Sequence, residues 1–246
     1  MKRPGWEVTL GIFLVVLSAI LYTFHFAVFR DSHHIFIYLV GDIAFVPIEV
    51  LIVTLIIHRL LEVREKQSRM EKLNMVIGAF FSEVGTRLLT YISDFDPKLE
   101  DIKKDLLIES DWTEEEFSRV SELLKNYDYS VDIKKIDLEG LGNFLLQKRN
   151  FLTRLLENQN LLEHESFTDL LWAVFHLTEE LASRKDIMDL PETDYEHLAG
   201  DIKRSYTILV GQWLDYMEHL KNNYPYLFSL AMRTNPFDEE ASPIVK

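Results

Sequence analysis

Ile35 to Ile57 reads IFIYLVGDIAFVPIEVLIVTLII, and this stretch decides the fold. As a helix, 23 residues cover about 34 Å, enough to cross a hydrocarbon core of roughly 30 Å. Yet the segment carries Asp42, Pro47 and Glu49. A carboxylate deep in hydrocarbon is costly and points to protein or water on its side of the helix.

Upstream lies a companion. Val8 to Phe29, VTLGIFLVVLSAILYTFHFAVF, holds no formal charge when His25 is neutral. It is too long for the apolar part of a cleaved signal peptide, and no small-x-small cleavage pattern follows it. The spans 8–29 and 35–57 therefore read as a transmembrane hairpin, joined by Arg30-Asp31-Ser32-His33-His34. Lys2 and Arg3 flank one end, and Arg59, Arg64, Lys66, Arg69 and Lys72 flank the other. The positive-inside rule then puts both termini in the cytoplasm of a multi-pass cell-membrane protein.

Asp42 and Glu49 are seven residues apart, nearly two helical turns, and so share a face. Pro47 lacks an amide hydrogen, which frees the carbonyl of Ile43 and tends to bend the helix. Carboxylates with a freed carbonyl make a candidate ion or proton site of Asp42, Glu49, Pro47 and Ile43. His25 joins it, because the hairpin brings His25 towards Asp42, with His33 and His34 at the outer mouth. The competing reading is structural: protonated Asp42 and Glu49 acting as hydrogen-bonded glue between helices.

Charge separates the two parts of the chain. Residues 1–60 hold Lys2, Arg3, Arg30 and Arg59 against Glu7, Asp31, Asp42 and Glu49, so the whole formal charge of −14 falls on residues 61–246. An acidic remainder without a long basic patch excludes nucleic acid as a partner. The absence of cysteine excludes disulfides and thiolate-ligated metals. There is no Gly-rich phosphate loop, dinucleotide fingerprint, G-x-S-x-G or H-E-x-x-H, so no nucleotide, cofactor or catalytic residue is implied.

The fold class is an all-α membrane protein. Its second span continues through LLEVREKQSRMEK, residues 60–72, into an amphipathic neck over 61–92. Leu73, Val76, Ile77, Phe80, Phe81, Val84, Leu88, Tyr91 and Ile92 form the neck's stripe, and Gly78 and Gly85 suit close helix contact. An acidic cytoplasmic helical domain occupies 93–237. Its helices are expected over 98–108, from the Thr113-Glu114-Glu115-Glu116 capping box to Tyr127, over 141–158, from a Ser166-Phe167-Thr168-Asp169 cap, and from Pro191 towards Asn222. The YPYLFSLAMRTNPF stretch should dock on the domain, and 238–246 should be a loose tail.

Carboxylate–histidine pairs at helical spacing are the chemical candidates of this domain: His176 with Glu179 or Glu180, Asp194 with His197, and Asp215 with His219. Facing helices can build a metal site from such pairs, although ordinary surface ion pairs and helix caps are the simpler account of them. Three function classes follow. The first is a homo-oligomeric cation or proton channel, with acidic residues ringed in the bilayer and a cytoplasmic assembly or gating domain. The second is a membrane-anchored scaffold or sensor adaptor with a cytoplasmic protein partner. The third is a metal-dependent helical-bundle membrane enzyme.

Overall fold

The computed structural model describes residues 6–158, 161, 164–187 and 189–245. Every regular element among the described residues is helical, with no strand. The chain divides into two compact units, Met1–Lys66 and Gln67–Lys246.

In the first unit, α1 (Trp6–Phe29) is followed by α2, which begins at Ser32 and extends to Phe80. Both helices are long and apolar enough to cross a membrane, and their apolar windows bury nothing within the chain. The link is shorter than the five residues expected, because His33 and His34 belong to the first turn of α2. Arg30 takes a left-handed conformation, φ 48°, and its amide donates to the Phe26 carbonyl at 2.9 Å. Asp31 then caps α2: its Oδ1 accepts from the amides of His33 at 3.0 Å and His34 at 3.1 Å. One left-handed residue and one N-cap suffice to reverse the chain. α2 runs unbroken through Pro47.

The second unit contains the end of α2, a π-type turn Phe81–Gly85, and α3 (Thr86–Ser93). The amphipathic stripe read from the sequence is its core: Leu73, Ile77, Phe80, Phe81, Val84, Leu88 and Ile92 are buried. The widened turn has a packing reason. Phe80 and Phe81 are consecutive yet both buried. Phe80 meets Phe167 edge to face at 5.4 Å, while Phe81 stacks on Tyr216 at 4.9 Å. Two neighbouring rings thus serve two different helices.

The expected helix over 98–108 is a 3₁₀ turn Leu99–Asp101 followed by α4 (Lys103–Leu106). α5 (Glu114–Asn126) opens with the capping box: Glu116 N donates to Thr113 Oγ1 at 3.4 Å, and Thr113 N donates to the Glu116 carboxylate at 2.5 Å. α6 (Leu138–Leu156) starts three residues earlier than its apolar pattern suggested, because the Asp137 carboxylate caps it through Gly140 N. α7 (Glu165–Ser183) is capped by the imidazole of His164, which accepts from Phe167 N at 3.2 Å, and not by Ser166 as expected. α8 (Glu192–Asn223) follows Pro191 and runs through Gly200 and Gly211 without interruption.

α7 packs between α6 and α8, while α3, α5 and α9 (Pro225–Arg233) pack on α8. The α8 stripe of Leu198, Ile202, Leu209, Trp213, Met217 and Leu220 is buried, as its spacing required. Phe228 and Phe237 dock the C-terminal stretch, with Phe237 meeting the Trp213 ring at 4.9 Å. Among the described residues after 237, Glu239, Ser242 and Pro243 make contacts with the domain. Glu239 pairs with Lys103, Ser242 N donates to the Arg233 carbonyl at 2.8 Å, and Arg233 donates to the Pro243 carbonyl.

Candidate functional site

A groove of about 580 Å³ lies between α1 and α2 inside the first unit. Its polar lining is Ser18, Tyr22 and His25 from α1, with His34, Tyr38 and Asp42 from α2. Each set repeats at three or four residues, so each helix presents one polar strip to the other. The His25 and His34 rings stack, with centroids 6.1 Å apart and planes 6° from parallel. Tyr38 packs edge to face on His34 at 4.6 Å, and Phe29 lies 4.8 Å from His25. The Nδ1 of His25 is buried and has no hydrogen-bond partner among the described residues. Facing imidazoles, two phenols and a carboxylate can pass a proton or coordinate a small cation.

His25 and Asp42 both line this groove, and His25 stacks on His34. The structure keeps Glu49, Pro47 and Ile43 out of this groove: all three are exposed along α2 and line no part of it. His33 is exposed and also lies outside it. Tyr22, Ser18 and Tyr38 escaped the sequence reading. Their signal was the spacing of His34, Tyr38 and Asp42, four apart along one helix face.

In the second unit the histidine–carboxylate candidates separate. Glu179 pairs with Arg149 at 2.5 Å, and the guanidinium holds its carboxyl below the usual range. Asp194 is gripped by Arg184. Asp215 accepts from Gln212 at 3.3 Å on an exposed part of α8. His219 lies 3.0 Å from the Asn74 side-chain amide and 3.1 Å from that of Asn223, and burial lowers its pKa. His176, Glu180 and His197 do converge, around a residue the sequence did not single out, Asp201. Among the described residues of this unit, these four are the group placed to hold a metal.

Comparison with known proteins agrees with the division of the chain. Residues 2–61 match the family model described as MJ1433, N-terminal helical domain, and residues 69–233 match that of the MJ1433 C-terminal helical domain. The chain is 49% identical over 241 residues to "Uncharacterized protein MJ1433" of Methanocaldococcus jannaschii, covering 98% of this chain and 97% of that protein. No solved structure matches. With both domains and nearly the full length accounted for, this chain belongs to the MJ1433 family.

Proposed function

We propose that this protein is an integral membrane protein whose α1–α2 hairpin crosses the bilayer with both termini in the cytoplasm, and whose copies assemble to move a proton or small cation. The observation that carries the reading is the placement of His25, His34 and Asp42 on one groove inside an apolar hairpin. Titratable groups at that depth are costly unless water, protein or an ion meets them.

Two further features support the reading. Exposed apolar side chains run along both helices from Trp6 to Val63. That is far more than the few hundred Å² a soluble monomer commonly leaves open. Glu49 is exposed on the hairpin away from the groove. A second copy would cover both Glu49 and the groove, and a ring of hairpins would line a shared path. The bilayer and further copies of the chain are then its partners.

The test is flux from purified protein in liposomes carrying a proton or monovalent-cation gradient. Wild type should dissipate one of these gradients, and Asp42→Asn and His25→Gln should return the rate to that of empty vesicles. Wild type indistinguishable from empty vesicles across pH and cations would overturn the proposal.

A further inference from the structure

α7 and α8 each carry two metal-binding side chains one turn apart: His176 and Glu180 on α7, His197 and Asp201 on α8. Four residues of spacing put each pair on one helix face. The two faces meet near the connection between the helices, and one ligand atom from each residue lies within 4.8 Å of all the others.

The histidine–carboxylate separations are longer than hydrogen bonds and close to the spacing of ligands around one ion. His176 Nε2 is 3.4 Å from Asp201 Oδ2 and 3.8 Å from Glu180 Oε1. His197 Nε2 is 3.3 Å from Asp201 Oδ2 and 3.5 Å from Glu180 Oε2. Charge-assisted hydrogen bonds are shorter, about 2.7–2.9 Å. Ligands held about 2.0–2.1 Å from a tetrahedral metal lie roughly 3.3–3.4 Å from one another, simply from the geometry of the tetrahedron.

A second observation points the same way. Asp201 is 3% exposed, and its Oδ2 is buried with no hydrogen-bond partner among the described residues. That oxygen faces both Nε2 atoms. A buried carboxylate oxygen without a donor is destabilising, and a cation between it and the imidazoles would satisfy it.

The surroundings orient the ligands. Arg204 Nη1 lies 3.1 Å from Asp201 Oδ1, which leaves Oδ2 to point inward. Arg184 Nη1 donates to Glu180 Oε2 at 2.8 Å, which fixes the direction of that carboxylate. Such outer contacts fix ligand direction in metal sites.

We propose that His176, Glu180, His197 and Asp201 bind one divalent transition-metal ion of the zinc class and so clamp α7 to α8. Imidazole with carboxylate suits Zn²⁺, Co²⁺ or Fe²⁺, whereas Mg²⁺ and Ca²⁺ prefer shells of oxygen alone. The two histidines are about half exposed, so the ion reaches the site from solvent. This site is independent of transport through the hairpin.

Titration of the chelator-stripped full-length protein in detergent with Zn²⁺, in excess Mg²⁺, tests the inference. Wild type should bind one equivalent, gain thermal stability on binding, and give the strong visible absorption of four-coordinate metal when Co²⁺ replaces zinc. The double substitution His176→Gln/His197→Gln should lose more affinity than the roughly 100-fold that disturbing outer contacts costs. Because both histidines are half exposed, that variant should keep wild-type helicity and metal-free melting. Asp201→Asn, a shape-conserving change, should weaken zinc without abolishing folding. No stoichiometric zinc in wild type, or zinc binding unchanged in the histidine double variant, would overturn the proposal.

Discussion

Arg184 holds Asp194 with two parallel hydrogen bonds, Nε to Oδ2 at 2.7 Å and Nη2 to Oδ1 at 2.6 Å. The same guanidinium donates to the Glu180 carbonyl and carboxylate at the end of α7. One side chain therefore caps α7 and ties it to the first turn of α8. Replacing Arg184 with alanine should cost about 1.5–3 kcal/mol, the range for hydrogen bonds to charged groups, read by urea unfolding. Its contacts depress the pKa of both Asp194 and Glu180. Their stabilisation is present above the unfolded carboxylate pKa and lost as pH falls through the lower folded values. The Arg184→Ala protein should therefore lose less stability than wild type on acidification below about pH 4.

Gly85 and Gly200 should respond to alanine in opposite directions. A Cβ at Gly85 would stand 2.6 Å from Phe81 Cδ1 and 2.9 Å from Phe80 Cε1, inside two packed rings. Gly85→Ala should destabilise the domain by about 1–3 kcal/mol, as overpacking does. Gly200 is exposed in mid-helix with nothing near its would-be Cβ. Gly200→Ala should stabilise by about 0.5–1 kcal/mol through helix propensity. Thermal unfolding of the two variants side by side checks both signs.

Thr113→Ala removes one half of the α5 capping box. The expected cost is about 1 kcal/mol. Denaturant unfolding should show it as a lower midpoint with an unchanged slope.

The helical elements were legible because their evidence is local. Thr113 and Glu116 announce α5 within four residues, and Leu198 to Leu220 announce the buried side of α8 by period. Misreadings arose where a cap depended on chemistry outside the usual set. His164 caps α7 with an imidazole nitrogen, a role that serine at 166 imitated in the sequence. The held segment after 237 was missed because Lys103, the partner of Glu239, is remote in the chain.

The candidate sites divide in the same way. His25 and Asp42 were legible as lining one groove, because a short hairpin lays the two helices side by side. His176 with Glu180 was visible as an i,i+4 pair, while Asp201 carried no signal, since an aspartate four residues after a histidine is common on any solvated helix face.

By itself the sequence determined the helices, the two long apolar segments, the acidic remainder and most of the core, because periodicity, capping and charge act over one or two turns. Only the tertiary structure decided which histidines and carboxylates meet, that Glu49 stands apart from the groove, and that Phe80 and Phe81 serve different helices. Those outcomes depend on how helix faces pack across long separations in the chain, and a local pattern cannot specify which face meets which.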